Sequence, residues 1–491
     1  MKVLLIIPPK GYLATTWSRE NIMPPLGVLY LAAFLEQNGI EVEIIDAFIE
    51  KYSWNQLKKA FLDKKPDVVG VSFTTETRFD GFKTIKIAKQ VLPNSLVVAG
   101  GVHVSLTPQD TLSYIPELDM IVRGEGEETF LELIKTFEKG ESFNRVAGIS
   151  FRQNNRIIHN PSRAPIKDLN KIPFPARHLL SKKYKLTLDV PGKGKIPAAH
   201  IMSSRGCPIG CNFCASSQMW GRMFRYRSPE NVLAEIEWLI KEYGVRGIWF
   251  FDDTLTMNRE RVRDICDLIL ERHLDISWYC EVRVDTVDRE LLKKMKEAGC
   301  YQVCFGVESG SQRVIDEIIG KKITLEQVRK VARWCGELGL LIFPTFIVSH
   351  PTETFEEAQQ TIALMRELKS YAQGDVTIGI LKIYPGTRLE EYAKETGFLP
   401  SDFSWAAEND SRVILLPTVA GNAPLFIDKL SWEEINEILF EWRELSHYPL
   451  LKKIPGILKD IRSLADLKRL FIALISFIKY LFKKSFIRER N

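Results

Sequence analysis

Two successive runs of alternating strand-like and helix-like segments restrict this chain to layered α/β architecture. In the first run, β-rich apolar segments at 3–7, 42–45, 68–72, 96–99 and 120–122 alternate with amphipathic stretches near 26–38, 54–63, 82–91, 108–114 and 127–137. Such alternation with short connections predicts a doubly wound parallel sheet whose ligand sits at the carboxyl ends of the strands. From Ala198 the alternation resumes, with strands near 200–203, 247–251, 277–281, 302–307, 342–348 and 376–383. Helical patterns at 230–243, 259–272, 289–298 and 325–338 separate them. These units predict a complete or partial (β/α) barrel with its chemistry at the carboxyl-terminal mouth.

Between the two runs, AGISFRQNNRIIHN (146–159) reads as a hairpin turning at Asn154-Asn155. DLNKIPFPAR (168–177) reads as a linker, because its prolines break any periodicity. The expected organisation is a first domain over 1–140, a hairpin and linker over 141–195, a barrel over 196–400 and a helical region over 401–491. A chain of 491 residues accommodates two to four domains. Its 45% hydrophobic and 26% charged residues exclude both extensive disorder and a polytopic membrane protein.

The formal charge of +5 is unevenly placed. Residues 451–491 carry eleven Lys or Arg against three Asp or Glu, which leaves residues 1–450 at −3. A nucleic-acid binder spreads basic residues over its folded face, so neither DNA nor RNA is expected as a partner. None of the eight cysteines precedes Cys207, and Met1-Lys2 leads straight into a strand without a cleavable apolar segment. A reducing cytoplasm is the compartment this pattern predicts.

The segment SRGCPIGCNFC sets Cys207, Cys211 and Cys214 in C-x3-C-x2-C spacing directly after a strand. Three thiolates on one tight loop can hold three corners of an iron–sulfur cubane, leaving one iron free to chelate an amino and a carboxylate group. The competing reading is zinc, but a structural zinc site wants four ligands, and no further Cys or His follows within fifty residues of Cys214. Cys266, Cys280, Cys300, Cys304 and Cys335 fall within apolar patterns and read as core residues.

This triplet, with Phe213 before its last cysteine, resembles the cluster loop of the radical S-adenosylmethionine superfamily, and residues 198 to about 400 resemble that family's six-stranded partial barrel. The resemblance implies a 4Fe-4S cluster whose open iron binds S-adenosylmethionine. One electron, from a donor such as flavodoxin or ferredoxin, then yields a 5′-deoxyadenosyl radical that abstracts hydrogen from unactivated carbon. It also implies that Glu308, in FGVESGS, contacts the ribose and that Arg283 reaches the cofactor's carboxylate. Where the family commonly has Gly-Gly-Glu for the methionine amino group, this chain has FFDDT, so Asp252, Asp253 or the backbone is expected there. In FIVSHPTET, Ser349 stands where glycine is usual, leaving His350 an unassigned polar group near the mouth.

In the first domain, PPKGYLATTW after the first strand lacks the G-x-G-x-x-G of a dinucleotide site. Small residues gather instead in AGGVHVSLTP and RGEGEE, where glycines let a large planar ligand approach the backbone. With MPPLGVLYLAAFLEQNGIEVEIIDA, this arrangement ahead of a radical barrel resembles the cobalamin-binding radical enzymes. The resemblance implies corrin and nucleotide-tail contacts at Gly100, Gly101, Val102 and His103, with Asp46 and Ser72 as further candidates. Since the Asp-x-His-x-x-Gly loop is absent, cobalt is expected without a protein histidine below it, and His103 is expected to pack or to contact phosphate.

The expected function is cobalamin-dependent radical methyl transfer to an unactivated carbon of a small molecule. The alternative is a cobalamin-dependent radical oxidoreductase or ring cyclase without methyl transfer. A methylthiotransferase would need further cysteines in the first domain, and this chain has none there. In the tail, LKRLFIALISFIKYLFKKSFIRERN contains thirteen residues from Leu470 to Phe482 interrupted by Lys479. That is shorter than the about 20 apolar residues of a membrane span. The segment reads either as a helix lying on an anionic membrane, which favours a lipid or isoprenoid-like substrate, or as a helix docked on the barrel.

Overall fold

The computed structural model describes residues 1–9, 22–407, 410, 412–414 and 423–446. The basic tail and most of the loop after the first strand lie outside the described residues. Strands β1 (Lys2–Ile7), β2 (Glu41–Asp46), β3 (Val68–Ser72), β4 (Leu96–Gly100) and β5 (Met120–Val122) form the parallel part of the first sheet. They are flanked by α1 (Leu26–Gln37), α2 (Trp54–Lys64), α3 (Arg78–Val91), α4 (Val102–Leu106), α5 (Pro108–Tyr114) and α6 (Gly126–Glu138). Helices on both faces explain why β1 is a continuous apolar run in which Val3, Leu4, Leu5 and Ile6 are all buried. Local signals agree: Ser53 and Gln56 form a reciprocal capping box at the start of α2.

Asn154 and Asn155, both in the left-handed region, turn β6 (Ile149–Gln153) into β7 (Arg156–His159). This hairpin is not part of the linker. β6 pairs antiparallel with β5, Val122 opposite Ile149, giving the order β2-β1-β3-β4-β5-β6-β7. Burial of Ile149 and Phe151 in the core beside α6 fixes it there, so the first domain extends past residue 140 to the end of β7.

The barrel sheet has the order β16-β15-β14-β13-β12-β9-β8. Its parallel strands are β9 (Gly194–Ile201), β12 (Gly247–Phe250), β13 (Ser277–Glu281), β14 (Cys300–Glu308), β15 (Leu341–Val348) and β16 (Thr377–Ile380). β8 (Thr187–Val190) pairs antiparallel with β9 at one edge. Between β9 and β12 a short ladder joins β10 (Ser204–Arg205) to β11 (Arg225–Tyr226), with α7 (Ser216–Trp220) in the intervening segment. Helices α8 (Pro229–Tyr243), α9 (Arg259–Glu271), α10 (Arg289–Glu297), α11 (Leu325–Leu338) and α12 (Phe355–Tyr371) cover the outer face. Cys266, Cys280, Cys300, Cys304 and Cys335 are buried, and α13 (Arg388–Glu395) and α14 (Trp432–Leu445) complete the described helices. Trp442 of α14 donates to the Val376 carbonyl at 2.7 Å.

Candidate active site

The loop leaving β10 carries Cys207, Cys211 and Cys214, all half-buried. Gly206 enters it at φ +92°, and a Cβ there would sit 2.2 Å from the Met223 carbonyl, so the turn requires glycine. Asn212 pins the middle of the loop: its amide donates to the Ile319 carbonyl at 3.0 Å, and its own carbonyl accepts from the Leu389 amide at 3.1 Å. Burial pushes the Cys214 thiol up to about 11 and raises Cys211 as well, and each also feels the other two thiols or Cys207. Bound iron would reverse that cost by taking thiolates outright. Among the described residues no three His, Cys, Asp or Glu side chains close into a single-ion cage. Three thiols share one pinned loop, the arrangement that suits three corners of a cubane.

The polar residues expected at the mouth divide into two sets. Glu308 adopts φ +73°, rare for a residue with a Cβ, and its buried carboxylate meets Lys321 Nζ at 2.5 Å. Arg283 donates to both carboxylate oxygens of Asp285 at 2.9 and 2.8 Å and to the Lys321 carbonyl at 3.1 Å. Lys321, Glu308 and Arg283 all act electrostatically on Cys211, which places them beside the cluster loop. Sequence reading missed Lys321, which no local signal distinguishes from a surface lysine.

Asp252 is a correction. It is buried, and its carboxylate accepts from the Ser203 amide, the Ser203 hydroxyl and the Ser204 amide. It braces the start of the cluster loop and has no oxygen turned to a ligand. Asp253 is the exposed one of the pair, accepts from the Gly206 amide at 3.2 Å and lines the cleft between the domains. Ser349 sits at φ +70°, a conformation that glycine adopts without strain.

Two connected cavities occupy that cleft. One, of about 380 Å³, runs into the first domain. It is a slot between α1 and α6, floored by Leu5, Gly70 and Val98, with Gly27, Gly100 and Gly124 on its walls. A Cβ added at Gly27, Gly100 or Gly124 would meet nothing within 4 Å, so these glycines leave room for a planar group to lie on backbone. The slot fits the nucleotide tail of cobalamin. The second cavity, of about 790 Å³, is bordered by Ser72, Gly101 and Val102 on one side and by Phe213, Cys214 and Ala215 of the cluster loop on the other. Asp46 lines it too, its carboxylate accepting from the Tyr184 hydroxyl and from the Phe48 and Ile49 amides.

His103 does not face either cavity, contrary to its mapping onto corrin or tail contacts. Its ring is buried against Phe73, Phe82 and Trp405, with Nδ1 3.2 Å from the Thr75 hydroxyl. Burial pushes its pKa down to about 3, so the imidazole is neutral. Packing is one of the two roles expected for His103, the other being a phosphate contact.

The two domains are joined at the cluster loop itself. Arg205 pairs with Glu127 and Glu125 near the start of α6, and Arg225 pairs with Glu125. On the far side of the chamber, Glu76 accepts from Lys382 at 3.0 Å and from the Tyr384 hydroxyl at 2.7 Å. RGEGEE was read as a glycine-rich approach to a ligand, and its carboxylates prove to be the clamp.

Residues 13–134 match the B12 binding domain family, and residues 201–365 match the Radical SAM superfamily. The chain is 39% identical over 400 residues to the uncharacterized methyltransferase PH0819 of Pyrococcus horikoshii, covering 80% of this chain and 83% of the relative. It is 30% identical over 374 residues to the anaerobic magnesium-protoporphyrin IX monomethyl ester cyclase of Rubrivivax gelatinosus, covering 75% of this chain and 66% of the cyclase. The fold is that of the radical S-adenosylmethionine methyltransferase TsrM from Kitasatospora setae, with TM-score 0.71 at 17% identity over 90% of this chain and 88% of that one. Both halves of the chain and the cleft between them thus agree with these matches, and the protein belongs to the cobalamin-binding radical S-adenosylmethionine enzymes, which work with a 4Fe-4S cluster, S-adenosylmethionine and cobalamin.

Proposed function

We propose that the protein is a radical C-methyltransferase acting on an unactivated carbon of an apolar, lipid- or isoprenoid-like molecule. The observation that carries this reading is the shared chamber of about 790 Å³, bordered at once by the Ser72–Gly101–Val102 cradle and by Phe213 to Ala215 of the cluster loop. When bound, the cofactors supply a carbon-centred radical from the cluster side and a transferable methyl group from the corrin side. The chain's own residues hold these in register. Arg205, Glu125 and Glu127 fix the loop to the first domain, while Glu308, Lys321, Arg283 and Asp253 surround the loop with groups suited to a charged amino acid and a ribose. Pro25, Met23, Leu26, Phe48, Phe73 and Phe251 give the chamber its apolar lining and keep water from a reactive carbon.

The electron donor in this reading is a small protein of flavodoxin or ferredoxin type, and the compartment is the reducing cytoplasm. No helix among the described residues is long and apolar enough to cross a membrane. Contact with an anionic membrane surface through the basic segment 451–491 belongs to the same proposal. Salt-sensitive co-sedimentation with anionic liposomes, lost on truncation at residue 450, supports it.

A second reading, radical oxidation without methyl transfer, is favoured by the similarity to the cyclase. Anaerobic reconstitution with cobalamin and S-adenosylmethionine, followed by untargeted lipid mass spectrometry of a deletion strain, separates the two. Methylated lipids missing from the strain support transfer, and an accumulating species of two more hydrogens supports oxidation. A strain in which Cys207, Cys211 and Cys214 are together changed to alanine must show the lipid profile of the deletion strain.

A further inference from the structure

The chamber has an aromatic continuation that the cofactors do not explain. On β12 and β13, Ile248, Phe250, Trp278 and Cys280 point into the helix-covered core, so Trp249 and Tyr279, alternating with them, point to the inner face of the barrel. Cross-strand register sets His200 of β9 beside Trp249 and Trp249 beside Tyr279. The rings follow one another closely. His200 lies 5.7 Å from Phe251, Phe251 lies 5.0 Å from Trp249, Trp249 lies 5.1 Å from Tyr279, and Tyr279 lies 5.9 Å from Tyr301. Trp249, Tyr279 and Tyr301 are half-buried, and Phe251 is 41% exposed.

The row begins where the chamber ends, because His200 and Phe251 line the chamber as well. Trp249 is also treated differently from other tryptophans of the fold. The indole N–H groups of Trp278, Trp405 and Trp442 each donate to an acceptor, whereas that of Trp249 has none. A tryptophan serving packing alone is expected to satisfy that donor.

We propose that this inner face, from His200 to Tyr301, is the substrate wall, and that it takes an extended unsaturated isoprenoid chain. The proposal rests on the methyltransferase reading above and names its substrate class. Successive rings meet stacked at 23° and edge-on at 88° and 70°. Trp249 and Tyr279 stack on each other, leaving no gap between parallel rings in which a single flat heterocycle would be gripped. The row instead offers a series of π surfaces at a spacing comparable to the isoprene repeat. No charged side chain belongs to it; Glu281 follows Cys280 along β13 toward the mouth, and Arg177 donates to the His200 carbonyl at 2.6 Å. An alkene chain lying across the row would carry its end past Phe251 into the chamber.

The test is equilibrium binding of radiolabelled geranylgeraniol, delivered in cyclodextrin, to the reconstituted full-length holoenzyme without reductant, so that no turnover is needed. Binding should be saturable, and the saturated analogue phytanol should bind more weakly. Trp249→Ala should weaken geranylgeraniol by about tenfold, the scale of one lost aromatic contact, while Trp249→Phe keeps affinity within about threefold. Tyr279→Leu, which keeps apolar bulk without the ring, gives the same direction if Trp249→Ala fails to fold. Unchanged affinity in folded Trp249→Ala and Tyr279→Leu overturns the wall. Saturable binding of free tryptophan or a porphyrin in place of the chain overturns the substrate class. Either failure leaves the methyltransferase reading standing, because that reading is decided by product mass.

Discussion

Arg205, two residues ahead of the first cluster cysteine, donates to Glu127 near the start of α6 across 2.5 Å, and both side chains are buried. With the pairs that Arg205 and Arg225 make to Glu125, this ion pair ties the cluster loop to the cobalamin-binding domain. Arg205 also stands over the rings of Tyr30 and Trp220, at 5.7 and 5.5 Å. The segment leading into the cluster loop is therefore held against the first domain by buried charge.

Removing one partner of a buried ion pair leaves a charge in low dielectric, at a cost of about 3–5 kcal/mol. We expect Glu127→Ala to lower the thermal unfolding midpoint well below that of Lys183→Ala, whose pair with Glu50 is more exposed. Differential scanning calorimetry of both variants checks this. Equal midpoints would mean that the clamp contributes nothing.

His103→Ala should keep its corrinoid, with the cobalt spectrum unaltered, because the imidazole is walled off by Phe73, Phe82 and Trp405. Electron paramagnetic resonance of the cobalt(II) form is the check. Histidine nitrogen coupling that vanishes in the variant would show that His103 is the lower ligand.

Gly100→Leu should fold normally and lose cobalamin. A Cβ at Gly100 meets no atom within 4 Å and its φ is not left-handed, so the leucine enters open space in the nucleotide-tail slot. We expect affinity for cobalamin to fall at least about tenfold, an apolar side chain's worth of occupied volume, with an unchanged circular dichroism melt. Retained cobalamin would place the tail elsewhere.

Much of this layout is legible in the sequence because it is carried by periodicity and turn chemistry. Apart from the first barrel strand, which runs over Gly194–Ile201 instead of 200–203, both alternations appear as strands and helices within a few residues of expectation, and Asn154-Asn155 turns its hairpin. What could not be read depends on neighbours distant in sequence. Whether 149–159 joins the first sheet is decided by β5, and β8 hides in the linker because an edge strand of four residues has too little pattern. Asp252 and Asp253 are adjacent and chemically alike, yet Ser203 and Ser204 claim one and leave the other facing the cleft. His103 comes just after a glycine pair that suits a ligand, but the helix begun at Val102 turns the ring inward.

Glu353 provides a pH test. It is fully buried, accepts from the His350 amide at 3.0 Å, and burial pushes its pKa up to about 8 from 4.5. The folded state therefore holds a proton that the unfolded chain releases, so this group's contribution to stability falls as pH rises from 4.5 to about 8. Glu353→Gln should flatten that slope in urea titrations across the window. An identical slope in the variant would mean that Glu353 is ionised in the folded protein.

If radical generation and methyl delivery meet in one chamber, the two products of S-adenosylmethionine form in a fixed ratio. Methyl transfer consumes one molecule to supply the methyl group and another to supply the radical. In anaerobic turnover of the holoenzyme with its substrate, S-adenosylhomocysteine and 5′-deoxyadenosine should therefore appear in equal amounts, with the label from deuteromethyl S-adenosylmethionine retained in the substrate. Deoxyadenosine formed without S-adenosylhomocysteine, and a product two hydrogens lighter without label, would contradict the account.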